Sequence, residues 1–179
     1  MESSIRNIID QLNEALNLKF NGSKFYGIAT SVQTDGKLQP TVNEMPVTYD
    51  DSYAMQLYHK VNSVQITYRP GFGDEEKTID TFSISAIIFN NEKISKLKSD
   101  EIAIIIQSVF SSIKIQSVRV IPVNAVLNSI GTFSTEYRGH SYPLSEYLSL
   151  MQFNYNVEMT FKSGCFDLCP EDFSHCKKN

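Results

Sequence analysis

The chain reads as an α+β domain, a mainly antiparallel sheet with two principal helices packed on one of its faces. Three patterns predict it. Between residues 151 and 162, apolar Met151, Phe153, Tyr155, Val157, Met159 and Phe161 alternate with polar Gln152, Asn154, Asn156, Glu158, Thr160 and Lys162, the period of a strand with one buried and one wet face. Residues 3–19 and 99–112 instead repeat apolar side chains at helical spacing. Two strand-like stretches, 63–69 and 77–90, flank the Gly-rich loop 70–76 and so predict a hairpin.

In chain order, Ile5, Ile8, Ile9, Leu12, Ala15 and Leu16 form the apolar stripe of the first helix, with Ser3 or Ser4 as its cap. Asn21-Gly22 is expected to stop it. Residues 24–34 are expected to be extended, with a turn at Asp35-Gly36. Pro40 and Pro46 then point to an edge or an irregular arm up to Val47. Tyr49-Asp50-Asp51-Ser52 resembles a helix start, with a short helix to Lys60. In the hairpin, Val64, Ile66 and Tyr68 share one face, and Phe82, Ile84, Ala86 and Ile88 alternate against serines. Ser99 caps the second helix, with Asp100 and Glu101 at the positive end of its dipole and Ile102, Ile105, Ile106, Val109 and Phe110 facing the core. A strand over 114–123 should end at Pro122. The organisation expected is one domain over 1–162, with long loops at 32–60, 70–76 and 124–146, followed by a Cys-containing tail, 163–179.

With 179 residues, 41% of them hydrophobic and 20% charged, the chain can bury a core and is not of disordered composition. The net charge of −4 comes from 16 basic and 20 acidic residues, and the longest basic run is Lys177-Lys178. No surface for specific nucleic-acid readout is expected from that balance. The Met-Glu-Ser-Ser start does not read as a secretory signal. The most apolar windows, 82–89 and 102–110, fall short of the ~20 residues a membrane helix needs, so no membrane partner is expected. Synthesis in a reducing cytoplasm is expected.

Motifs for chemistry are sparse. Gly71-Phe72-Gly73 is a fragment of a Gly-rich fingerprint with Glu76 in the wrong place and no helix after it, so it reads as a hairpin loop. No phosphate loop, HExxH, GxSxG or EF-hand pattern occurs. Neither His59 nor His140, the latter near Arg138, has a carboxylate spaced to orient it. Asp50-Asp51 and Asp74-Glu75-Glu76 read as solvated loop charge; a metal-dependent hydrolase or nuclease would need Asp50, Asp51, Asp74 and Glu75 to converge. Cys165, Cys169, His175 and Cys176 lack the paired spacing of a zinc knuckle, and three clustered cysteines do not make a disulfide framework. The reading is of a protein that is not an enzyme and uses no cofactor or metal, with a bacterial protein- or ligand-binding module as the alternative. Tyr26, Tyr49, Tyr53, Tyr58, Tyr68, Tyr137, Tyr142 and Tyr147 fall in or beside predicted loops and edges, where they suit subunit interfaces or cover the domain's own core.

The order of helix (Ile5 to Leu16), hairpin with a protruding loop (Val64 to Ile88), helix (Ile102 to Phe110) and long alternating strand (Met151 to Phe161) resembles the tail-terminator and tail-completion proteins of tailed bacteriophages. The Asn-, Ser- and Ile-rich, Trp-free texture is similar to that of proteins of crAss-like phages. The resemblance covers most of the chain as an ordering of elements; the segment 32–60 and the Cys-containing tail are additions to it. It implies a virion subunit, made in the bacterial host cytoplasm, that forms a homo-oligomeric ring of six or twelve copies in the neck or tail. Portal, neck or tail ring proteins would be its neighbours, and DNA would pass through passively. The loop of Gly71, Phe72, Gly73, Asp74 and Glu75 would be the first candidate for a partner or lumen contact, its acids repelling DNA.

Overall fold

The computed structural model describes residues 2–34, 37–69, 77–127 and 147–162. Helix α1 (Glu2–Asn17) is followed by strands β1 (Lys24–Ile28), β2 (Thr30–Thr34), β3 (Lys37–Val42), β4 (Met45–Pro46), β5 (Met55–Arg69) and β6 (Lys77–Asn91). Helices α2 (Glu92–Ser95) and α3 (Ser99–Ser112) then precede β7 (Val118–Val126) and β8 (Leu148–Lys162). The main sheet has the order β1-β5-β6-β8-β7, antiparallel throughout except for β1, which runs parallel to β5. This is a mixed α+β fold with a mainly antiparallel sheet, as the alternation and helical stripes predict.

One face of the sheet carries the larger core. Ile5, Ile8, Ile9, Leu12 and Leu16 of α1, and Ile102, Ile106, Val109 and Phe110 of α3, pack on Phe82, Ile84, Ala86 and Ile88 of β6 and on Met151 to Met159 of β8. Every second residue of β8 is buried there, the direct outcome of its period-two pattern. The Phe110 ring meets Tyr155 edge-on at a centroid distance of 4.8 Å and Phe153 at 5.6 Å. Among the described residues, no helix is long and apolar enough to cross a membrane.

The opposite face is covered at one end by a second sheet of order β2-β3-β4. Ala29, Val42 and Val47 close over Tyr58, Ile87, Phe89 and Leu150. The segment 32–60, expected as a long loop, is therefore mostly strand, because this end of the sheet is apolar on both sides and needs a cover. Pro40 fits in β3 because β4 pairs only with Thr41 and Val42, and Pro40 contributes a carbonyl that accepts the Val47 N–H. The short helix expected up to Lys60 is instead the start of β5: Met55, Gln56, Leu57, Tyr58 and His59 are all buried. A strand buried on both faces loses the alternation that identifies it.

Helix ends also differ from expectation. Helix α1 already includes Ser3 and Ser4 and ends at Asn17, while Gly22, at φ +70°, turns the chain afterwards. For α3 the N-cap is Lys98, not Ser99, and its backbone N–H donates to the Glu101 carboxylate at 2.8 Å. The strand expected over 114–123 begins at Val118, after a turn through Ser117 (φ +61°). Pro122 lies within it, tolerated because β7 is an edge strand. The end of the loop expected at 124–146 is accordingly strand up to Val126.

Candidate functional site

The β5–β6 hairpin divides into two halves of different character. Its base is buried on both faces, whereas β5 is exposed from Asn62 to Arg69. The division falls at a bulge: Val61 pairs with Ile84 and Ser63 with Ser83, leaving Asn62 as the extra residue. The bulge also coincides with the end of the parallel neighbour, since β1 reaches only to His59. Beyond it, no described strand pairs with the outer side of β5.

The hydrogen-bond directions along this edge follow from two contacts. The Ala29 N–H donates to the His59 carbonyl at 2.7 Å, so His59 turns its backbone polar groups toward β1. Its partner Ala86 therefore turns toward β8, as do Ile84, Phe82 and Asp80, and the intervening Ser83 and Thr81 turn toward β5. Ser63 and Gln65 answer them, so Val64 and Ile66 direct their N–H and C=O groups outward. The far edge agrees: the Thr160 N–H donates to the Ser117 carbonyl at 2.9 Å, the phase this alternation requires. Val64 and Ile66 are also exposed as side chains, at 47% and 59%. Their apolar row continues inward through Phe82 and Val157, both buried.

On the opposite face of the same region the side chains are amides and hydroxyls. Asn62 Nδ2 and Gln152 Nε2 donate to Ser85 Oγ, which donates to Asn154 Oδ1 at 2.7 Å, and Asn154 Nδ2 donates to Asn124 Oδ1. This network spans β5, β6, β8 and β7 and satisfies its members laterally.

Deeper in the fold lies a buried polar chain. Asn13 Nδ2 donates to the Tyr26 carbonyl at 2.8 Å, which leaves Asn13 Oδ1 as an acceptor facing His59 Nε2 at 2.9 Å. The imidazole therefore carries its proton on Nε2, and Nδ1 accepts the Tyr155 hydroxyl at 2.8 Å. Burial pushes the His59 pKa down to about 3 and the Tyr155 hydroxyl well above its usual value. A neutral histidine with both nitrogens satisfied holds α1 to the sheet and has no open position for a substrate.

The remaining predicted residues are scattered. Gly71, Phe72, Gly73, Asp74 and Glu75 lie outside the described residues, as do Arg138, His140, Tyr137, Tyr142 and the cysteine tail. Asp50 sits in a turn, where its carboxylate accepts the Ser52 N–H at 2.9 Å; the hydrogen bonds from Ser52 hold its pKa below the usual range. Among the described residues, no group of three or more His, Cys, Asp or Glu side chains is placed to hold a metal. Tyr58 is fully buried with Tyr26 and Tyr49 packed around it, so those three cover the core, while Tyr68 and Tyr147 are exposed. An open groove of about 900 Å³ lies between Tyr49, Asp50, Asp51, Asn91, Lys93 and Tyr147. Compared with known proteins, the chain matches no protein-family model and no curated sequence.

Proposed function

We propose that this chain is a non-catalytic structural subunit that acts by assembling with copies of itself, in the form of a ring in the neck or tail of a tailed bacteriophage. The observation that carries the self-assembly half is the outer half of β5: exposed Val64 and Ile66 on a strand edge whose backbone groups point outward. Native sheets normally shorten, charge or cover such an edge, and a bare one is a template for another strand. The stretch 61–67 carries no charge and no proline. The ring form rests on the resemblance in element order, and the neighbours would then be portal, neck or tail proteins.

The test is mass in solution by light scattering together with negative-stain microscopy of the full chain. Closed rings of uniform copy number are expected. A chain that stays monomeric at tens of micromolar, with no rings on the grid, would refute the reading. Deleting residues 71–75 is expected to leave a folded subunit that no longer forms rings; intact rings from that deletion would remove the loop from the contact. A second reading, a ligand-binding module, draws on the groove beside Tyr49 and Tyr147. A monomer whose Tyr49→Ala and Tyr147→Ala variants lose binding to a small molecule would favour it.

A further inference from the structure

We propose that the outer edge of β5 is a twofold interface, pairing antiparallel with the same edge of a second copy about Gln65. This inference rests on the self-assembly reading and names its surface.

The edge is self-complementary in three respects. Centred on Gln65, antiparallel pairing sets Val64 opposite Ile66 of the other copy, and Ile66 opposite Val64. Both residues point their N–H and C=O groups outward, so each pair exchanges two backbone hydrogen bonds. Both side chains lie on the sheet's helix-bearing face, so two apolar cross-strand pairs extend the row formed by Phe82 and Val157. Ser63 meets Thr67 on the polar face, and Arg69 meets Val61, so no like charges oppose each other.

The alternative strand partner within a second copy is β7, the opposite edge of the main sheet, and it is protected. Its outward-facing residues are Val118, Val120 and Pro122, set by the inward contact of Ser117 with Thr160. The Val118 N–H already donates to the Ile115 carbonyl at 3.1 Å, and Pro122 has no N–H. Only Val120 retains an outward donor among those three. The β5 edge offers two, from Val64 and Ile66, in the phase its own copy requires.

A twofold contact closes at two copies. It makes a dimer by itself. Within a larger assembly it would join two rings face to face and give an even copy number, with a different surface closing each ring.

The experiment uses charge placement in the full chain. The double variant V64K/I66K sets like charges opposite each other across the dyad and is expected to raise the dissociation constant of the pair about tenfold or more. The double variant V64K/I66E sets an ammonium opposite a carboxylate at both positions and is expected to restore pairing. Far-UV circular dichroism and thermal melting of both variants check that each is folded; both sites are exposed. Independently, in a C165S/C169S/C176S background, Q65C is expected to cross-link into dimers under mild oxidation, because opposed residues at the dyad lie close together, whereas R119C on β7 is not. Assemblies that V64K/I66K leaves unchanged would overturn the edge while self-assembly stood. Cross-linking through R119C but not Q65C would transfer the contact to β7. A wild-type monomer would overturn the edge and the self-assembly reading together, and loss of pairing in V64K/I66K without recovery in V64K/I66E would overturn the twofold register.

Discussion

Lowering the pH from 7 to 5 is expected to reduce the stability of the fold by about 2 kcal/mol through His59 alone. In the unfolded chain this imidazole titrates near its usual 6.5, whereas burial depresses it to about 3 in the fold. The sign follows from proton counting. Between those two values the unfolded state binds a proton that the folded state refuses, so stability is full above pH 6.5 and falls as the pH drops toward 3. The geometry supplies the reason for the refusal. Protonating Nδ1 would replace the acceptor of the Tyr155 hydroxyl with a donor, and Asn13 already commits its amide to Tyr26 and to Nε2. Urea unfolding of the wild type and of His59→Gln at pH 7, 6 and 5 measures the effect as the difference between their two pH profiles. The Gln variant loses some stability at every pH, but that offset cancels in the slope. The burial-raised pKa of Asp80 acts in the opposite sense in both proteins and cancels as well. Parallel profiles for the two proteins would refute the buried neutral imidazole. So would nitrogen chemical shifts placing the proton on Nδ1.

Two further sets of variants examine the same core. Asn13→Ala leaves the buried Nε2–H without its acceptor and is expected to cost about 1–3 kcal/mol in urea unfolding at pH 7. Asn13→Asp places a carboxylate against the imidazole instead, favours its protonated form, and should shrink the acid sensitivity between pH 7 and 5. Phe110→Ala removes a fully buried ring that packs on Phe153 and Tyr155, with an expected loss of about 3–5 kcal/mol at an unchanged denaturant slope.

The legible parts of this fold are those in which one face meets the core and the other meets water. Strand β8 displays that contrast residue by residue, and the stripes of α1 and α3 display it at helical spacing. Where both faces are covered the contrast vanishes. Met55 to His59 holds a Gln and a His among apolar residues, all buried, and its pattern matches neither period. Gln56 is tolerated there because its amide donates to the Tyr26 hydroxyl and the Thr48 carbonyl and accepts the Asp50 N–H. None of those partners is identifiable before the chain folds. The same holds for His59, whose partners Asn13 and Tyr155 are 46 and 96 residues away. Strand β1 gave only a generic extended signal, because parallel pairing to β5 depends on a crossover the local pattern does not encode. The outer hairpin was readable as strand from Val64, Ile66 and Tyr68; its status as an edge was not, since that depends on where β1 stops.

Strand β5 thus joins two kinds of surface in one length of chain, and the Asn62 bulge separates them. On the inner side, backbone and side-chain groups are engaged within the subunit: His59 donates to Asn13 and accepts from Tyr155, and its carbonyl accepts Ala29 N–H. On the outer side, Val64 and Ile66 contribute little to the subunit's own core, being about half exposed. Changes on the two sides should therefore separate stability from assembly. Asn13 and His59 variants move the unfolding midpoint, whereas Val64 and Ile66 variants move association with the midpoint nearly fixed once the copies are dissociated. Were the outer half instead part of the folding core, V64K/I66K would lower both together, and the case for an interface on this edge would fall with it.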